Sequence, residues 1–370
     1  MTGPGSPAWR EHPWRDRLST LTVLLLAFLA ITLAEGRLDS YRTQILNLVA
    51  INAILALSLN FIYGFSGMFS LGHAGFMAVG AYVSALCILT PAQKETIWFL
   101  EPILGPLANL STSFLTSVIL GGLAAALVSF LIALPVMRLG GDYLGIATLG
   151  FAEIIRVLFT NLTSVTNGAI GLRGIPPHAA DPRINYAWLL ATLFVILSIL
   201  KSNFGNVLKS IRDDEVAART MGINTTAYRT MAFCLGGFFA GVGGALMGSL
   251  ITTINPKMFS FLLTFNILLI VVAGGLGSVT GSLVGSAVIT ILLEWLRLVE
   301  EPTTIGGLTL PGIPGMRMVI FSLALMFIIL FRRQGLLGNR EFTWKAFYGF
   351  WGRLPGGLGR LVGRRPGKRP

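Results

Sequence analysis

KSNFGNVLKSIRDDEVAARTMGINTTAYR, Lys201–Arg229, is the stretch on which the reading of the chain turns. It ends one long apolar run and precedes the next. It is too polar to sit in lipid, yet it is patterned as structure. Ile211, Val216 and Met221 form an apolar stripe, and Asp213, Asp214, Glu215 and Arg219 a charged side. Glu215 and Arg219 stand at i, i+4 in the favourable order for a helical ion pair. Gly222 falls where a helix C-cap belongs, and Asn224 opens a second short segment. The pattern predicts a short helix, a glycine turn and re-entry into the membrane near Tyr228. A preformed helix on the face of a membrane protein is a docking surface for another protein. Periodicity alone fits an ordinary inter-helix loop as well.

Working outward, the composition is that of an integral membrane protein: 54% of the residues are hydrophobic and 12% are charged. Apolar runs of about 20 residues recur, the length of a helix that crosses a bilayer. The expected fold is all-α and polytopic, with about ten membrane helices (range roughly 8–10). They are placed at 18–34, 41–62, 67–89, 112–136, 143–160, 186–200, 230–252, 259–273, 278–299 and 315–331. The domain plan is a tail at 1–17, a membrane domain at 18–331 and a basic tail at 332–370. The net charge of +12 does not point to nucleic acid, because the basic residues are not gathered on a soluble domain. Most of the 28 fall on one side of this plan, which makes that side, both termini and 201–229 cytoplasmic. The basic, aromatic C-terminal tail suits an anionic lipid leaflet. Cys87 and Cys234 lie within expected spans and read as small apolar side chains.

Polar and glycine positions within the spans mark candidate sites. Asn52 and Asn60 share a helix face. Gly64, Gly67, Gly72, Gly75 and Gly80, with Ser66, Ser70 and His73, suit either a broken helix lining a pathway or a tightly packed hairpin. Residues 90–110 read as an external loop. Glu153 and Arg156, at i, i+3 inside a span, read as a buried ion pair that also has the option of lining a substrate route. On the external side, Thr166, Asn167, Gly168 and Arg173 suit a loop or half-helix able to meet an anionic group. The row Gly237, Gly241, Ala245 and Ser249 predicts close helix packing. A second glycine cluster, AGGLGSVTGSLVGSAV at 273–288, shares the composition and the side of the first. It lacks the Gly-Lys-Ser/Thr ending of a nucleotide loop.

Six stretches then occur in a familiar order: LSLGHAGF with GAY, GDYLGIATLGFAEIIR, TNGAIGL, SIRDDEVAARTMGIN, VVAGGLGSVTGSLVGSAV and FRRQGLLG. Together they resemble the permease subunit of high-affinity branched-chain amino-acid importers of the ATP-binding cassette class, in its M-type form. The resemblance covers roughly residues 40–338. It implies a translocation subunit of the bacterial inner membrane, with no catalytic centre and no cofactor of its own. The partners it implies are a second, homologous H-type permease, two cytoplasmic ATP-binding subunits and an extracytoplasmic amino-acid-binding protein. The stretch 201–229 resembles the loop such permeases insert into an ATPase groove, whose pattern is Glu-Ala-Ala, three residues, then Gly. Ala217, Ala218 and Gly222 keep that spacing. The glutamate stands one position early, at Glu215, so Asp214 and Glu215 both remain candidates for the ATPase contact.

The residues support the same conclusion from energetics. Accumulating a solute needs an energy source, and the chain has no nucleotide loop and no membrane carboxylate without a basic neighbour. Two other readings stay open: import of urea or a short amide, and a stand-alone secondary transporter or channel. The candidate pathway residues are Asn60, Gly67, Ser70, Gly72, His73, Glu153, Arg156, Asn167 and Gly168.

Overall fold

The computed structural model describes residues 39–297, apart from 100 and 140, and scattered positions between 300 and 338. Among these, seven helices are long and apolar enough to cross a membrane, and an eighth span results if one bent pair counts as one. The chain is therefore a multi-pass helical membrane protein. Eight expected spans have counterparts in these elements. The span expected at 18–34 lies outside the described residues, as do most of 315–331, the tail at 1–17 and nearly all of 332–370.

α1 (Ser40–Asn60) continues through one π-helical turn, Phe61–Phe65. No helix forms from Ser66 to Gly72, and α2 (His73–Ile88) begins there. The span expected from Gly67 thus starts six residues later, because Gly67 adopts φ +70°, a left-handed conformation outside any helix. After α2 comes α3 (Pro91–Ile97), bent from it by 120°. Residues 90–110 are a folded cap, not a plain loop. The buried Lys94 donates from Nζ to the carbonyls of Leu107 (2.7 Å) and Leu110 (2.6 Å). Trp98 Nε1 donates to Thr163 O at 3.1 Å, and the Thr163 hydroxyl donates to the Glu101 carboxylate.

The spans α4 (Phe114–Val136), α5 (Asp142–Asn161) and α6 (Pro182–Leu200) follow. The polar stretch folds as α7 (Asn203–Asp213) and α8 (Glu215–Thr220), and leads into α9 (Thr225–Ile251). α10 (Phe261–Gly274) and α11 (Val279–Arg297) complete the bundle. β1 (Leu172–Arg173) pairs antiparallel with β2 (Thr253–Ile254), Leu172 opposite Ile254. β3 (Thr303–Ile305) and β4 (Leu308–Leu310) form a second short ladder.

α2 is the axis of the bundle, with every residue but Val83 buried. Lipid gives helices no hydrophobic reason to associate, so the seam relies on close backbone approach. A Cβ added to Gly80 would lie 2.2 Å from Gly241 O of α9, and one added to Gly121 of α4 would lie 2.6 Å from Gly80 O. One added to Gly244 would lie 2.1 Å from Met77 O. Gly237 and Gly241 from the expected small-residue row are part of this seam, and Gly80, Gly121 and Gly244 complete it. Asn52 donates to Thr290 Oγ1 at 2.9 Å and Asn60 to Ser282 Oγ at 2.8 Å, so the shared face of α1 meets α11. At the end that carries β1 and β2, the buried Asn47 and Asn185 amides donate to Ala180 O (2.8 Å) and Ala179 O (2.7 Å).

Candidate functional site

At the other end of the bundle, the polar stretch is two helices, not one. Asp214 breaks the helix with φ −156° and ψ 107°, and its carboxylate accepts from Ala217 N at 2.9 Å to cap α8. The break divides the expected apolar stripe. Ile211 and Ala218 are buried against the body, while Val216 and Met221 point away from it, 73% and 82% exposed. Gly222 terminates α8 at φ +82°, with its N–H donating to Arg219 O and that of Ile223 donating to Ala218 O. Asn224 does not open a short segment. Its side chain caps the long α9, accepting from Ala227 N at 3.1 Å.

Glu215 is held within the chain. Its Oε1 lies 2.6 Å from Arg219 Nη2 and its Oε2 lies 2.6 Å from Arg229 Nη1 in the first turns of α9. Arg219 Nε also donates to Thr225 Oγ1 at 3.1 Å. Both acids therefore have intramolecular partners. The outward surface of α8 is made of Val216, Ala217, Met221 and Gly222 with charges at its rim.

Beside α7 the two glycine clusters meet. Asn60, fully buried, donates to Ser278 O (2.9 Å) and Ser282 Oγ (2.8 Å) and accepts from Gly277 N (2.9 Å). A Cβ on Gly64 would stand 2.4 Å from Gly277 N. Arg212 of α7 donates from Nη1 to Gly64 O at 3.1 Å, and its stem covers Gly67. Gly335 and Gly338 pack on Gly275 from the far side. Sequence reasoning missed Arg212. The only local signal was the adjacent Asp213, which binds its guanidinium at 2.8 and 3.0 Å.

The candidate pathway residues separate into three groups. Asn60, Ser70 and His73 are buried within the chain's own packing, and Gly67 and Gly72 bound the irregular segment between α1 and α2. His73 Nε2 lies 2.6 Å from Ser58 Oγ, whose own proton is donated to Leu55 O. The Nε2–H tautomer fits this arrangement, and His73 Nδ1 has no partner among the described residues. Glu153 and Arg156 pair at 2.6 Å with about a third of each side chain exposed, at 39% and 33%. They ride on α5, whose Tyr143, Ile146, Ile154, Val157 and Leu158 are half exposed or more. Asn167 and Gly168 lie at the opposite end of the bundle. Both have left-handed backbone, and the Asn167 amide donates to Gly171 O at 3.0 Å, closing the turn before β1.

The sequence comparisons agree with this architecture. The family model of the branched-chain amino acid transport system permease component matches residues 41–330. The high-affinity branched-chain amino acid transport system permease protein LivM of Salmonella typhimurium is 31% identical, over 77% of this chain and 71% of its own length. LivM of Escherichia coli is 32% identical over the same shares. LivH of Salmonella typhimurium is 24% identical over 64% of this chain and 79% of its own. With a match spanning most of its length, this chain belongs to the branched-chain amino acid transport permease family.

Proposed function

We propose that this chain is the translocation subunit of an ATP-driven importer for branched-chain or other neutral, hydrophobic amino acids in the bacterial inner membrane. It has no ATPase site of its own. About ten helices cross the bilayer, in the number and length that roughly 20-residue apolar runs dictate, and both termini are cytoplasmic. It works with a homologous second permease, two cytoplasmic ATP-binding subunits and an extracytoplasmic binding protein. The relatedness to both LivM and LivH supports a pair of homologous permeases.

The observation that carries the coupling role is the outward face of α8. Exposed large apolar side chains on a polar, solvent-facing helix mark a protein interface. Val216 and Met221 form such a knob, and Gly222 ends the helix with open space around its Cα. Burying each knob residue stabilises a docked ATPase by about 1.5–3 kcal/mol. Asp214 and Glu215 shape the helix from within, so the contact is apolar at its centre.

The outward face of α5 is the best candidate for the solute route. A carboxylate and a guanidinium facing hydrocarbon are costly, so a face that carries Glu153 and Arg156 is one covered by the second permease and wet. The expected test is Val216→Asp: it abolishes co-purification with the ATPase while the permease pair stays assembled. Retained co-purification contradicts the docking role. Uptake competition with labelled leucine, other neutral amino acids and urea then identifies the solute class.

A further inference from the structure

The geometry points to Arg212 as the joint through which motion of the polar stretch is transmitted to the membrane spans. This deepens the coupling role proposed for α8 and rests on it. A helix leaves its last four carbonyls without intrahelical partners. At the end of α1, Phe61 O and Ile62 O accept from Ser66 Oγ at 3.2 and 2.7 Å. Ile62 O and Tyr63 O accept from Met68 N and Gly67 N, both at 3.1 Å. Gly64 O accepts from Arg212, 148 residues further along the chain. The cytoplasm-facing helix thus supplies a cap for a central span. A cation at that terminus is also favoured by the helix dipole.

Arg212, its side chain 36% exposed, lies with its inner side against both glycine clusters. A Cβ on Gly67 would lie 2.9 Å from its Cγ, and one on Gly277 would lie 3.5 Å from its Nη1. Gly277 is in turn bonded to Asn60 of α1. Asp213 fixes the guanidinium by two bonds, leaving Nη1 directed at Gly64 O. A shift of α7 therefore pulls on the end of α1, on the irregular segment that leads to α2, and on the turn between α10 and α11. The π-helical turn at Phe61–Phe65 is where α1 departs from regular α-helical bonding, a departure that recurs at functional sites. Lysine keeps the charge but offers a point charge in place of a planar fork, so it cannot hold Asp213 and Gly64 together in this geometry.

The experiment uses the complete transporter, with both permeases, the ATPases and the binding protein, in proteoliposomes. Uptake and ATP hydrolysis are measured in the same vesicles for the unaltered chain, Arg212→Ala, Arg212→Lys and Val216→Asp. Arg212→Ala should assemble and hydrolyse ATP within twofold of the unaltered transporter, while uptake per ATP falls tenfold or more. Arg212→Lys should fall in between. Uptake per ATP within twofold of the original in Arg212→Ala overturns the joint. If that variant does not assemble, the same result in Arg212→Lys overturns it. Equal loss of uptake and hydrolysis in an assembled complex also overturns it. Val216→Asp separates the two ideas: if it assembles and transports normally, the docking reading fails whatever Arg212 does.

Discussion

At the seam of α2, α4 and α9, glycine brings backbone against backbone; at the end of α1, where Gly64 also meets the backbone of Gly277, side chains reach across as well. In the seam, the space for a side chain at Gly80, Gly121 or Gly244 is filled by a neighbouring carbonyl. The contact has no slack, and moving one helix opens a void or forces a clash. At the end of α1, Asn60 and Arg212 bridge the gap with directional hydrogen bonds. Such bonds can shift partner or lengthen while the helices stay packed. Glycine density alone therefore does not identify a moving part. What distinguishes the two regions is that side-chain hydrogen bonds from Asn60 and Arg212 join the backbone contact at the end of α1.

The largest effect expected from breaking this comparison is at the seam. Gly80→Leu places a side chain on Gly241 O and should cost more than the usual overpacking penalty of about 1–3 kcal/mol, because the obstacle is backbone. The outcome is loss of a monodisperse peak on size exclusion in detergent. A folded, active variant would show that the seam has slack.

Next comes Asn60→Ala at the joint. It leaves Gly277 N–H without its acceptor, a loss of about 1–3 kcal/mol, while Ser278 O keeps Ser282 as its donor. The protein should still fold, with a thermal midpoint lowered by a few degrees. An unchanged midpoint would mean that the clusters are held together by packing alone.

The smallest effect is on the outward face of α5. Glu153→Gln should cost about 1 kcal/mol, because the pair is part exposed and such pairs are weak. Replacing Arg156 as well should recover much of the loss in a thermal-shift cycle. Equal midpoints for single and double variants would remove the pairing energy altogether.

Much of the bundle was legible in the sequence, because hydropathy and length are strong signals. The helices Phe114–Val136 and Pro182–Leu200 fall within a few residues of their expected bounds. What was hidden depends on backbone angles and distant partners. Periodicity assumes an unbroken helix, so the break at Asp214, which turns Val216 and Met221 outward, could not be read from the stripe. The delayed start of α2 follows from the conformation of Gly67. The cap over 90–110 depends on Lys94 finding two carbonyls beyond the helix that carries it. Of the candidate site, the polar stretch was visible as a unit. The Glu215–Arg219 pair was legible in its spacing, but the cap by Asp214, the reach of Glu215 to Arg229 and that of Arg212 to Gly64 were not.

The central claim is that the motive force enters from partner subunits. The direct measurement is uptake of labelled leucine into liposomes that contain this chain and its companion permease, with and without the ATPases, the binding protein and ATP. The account predicts accumulation above the bath concentration only when all are present. Accumulation by the permeases alone would contradict it.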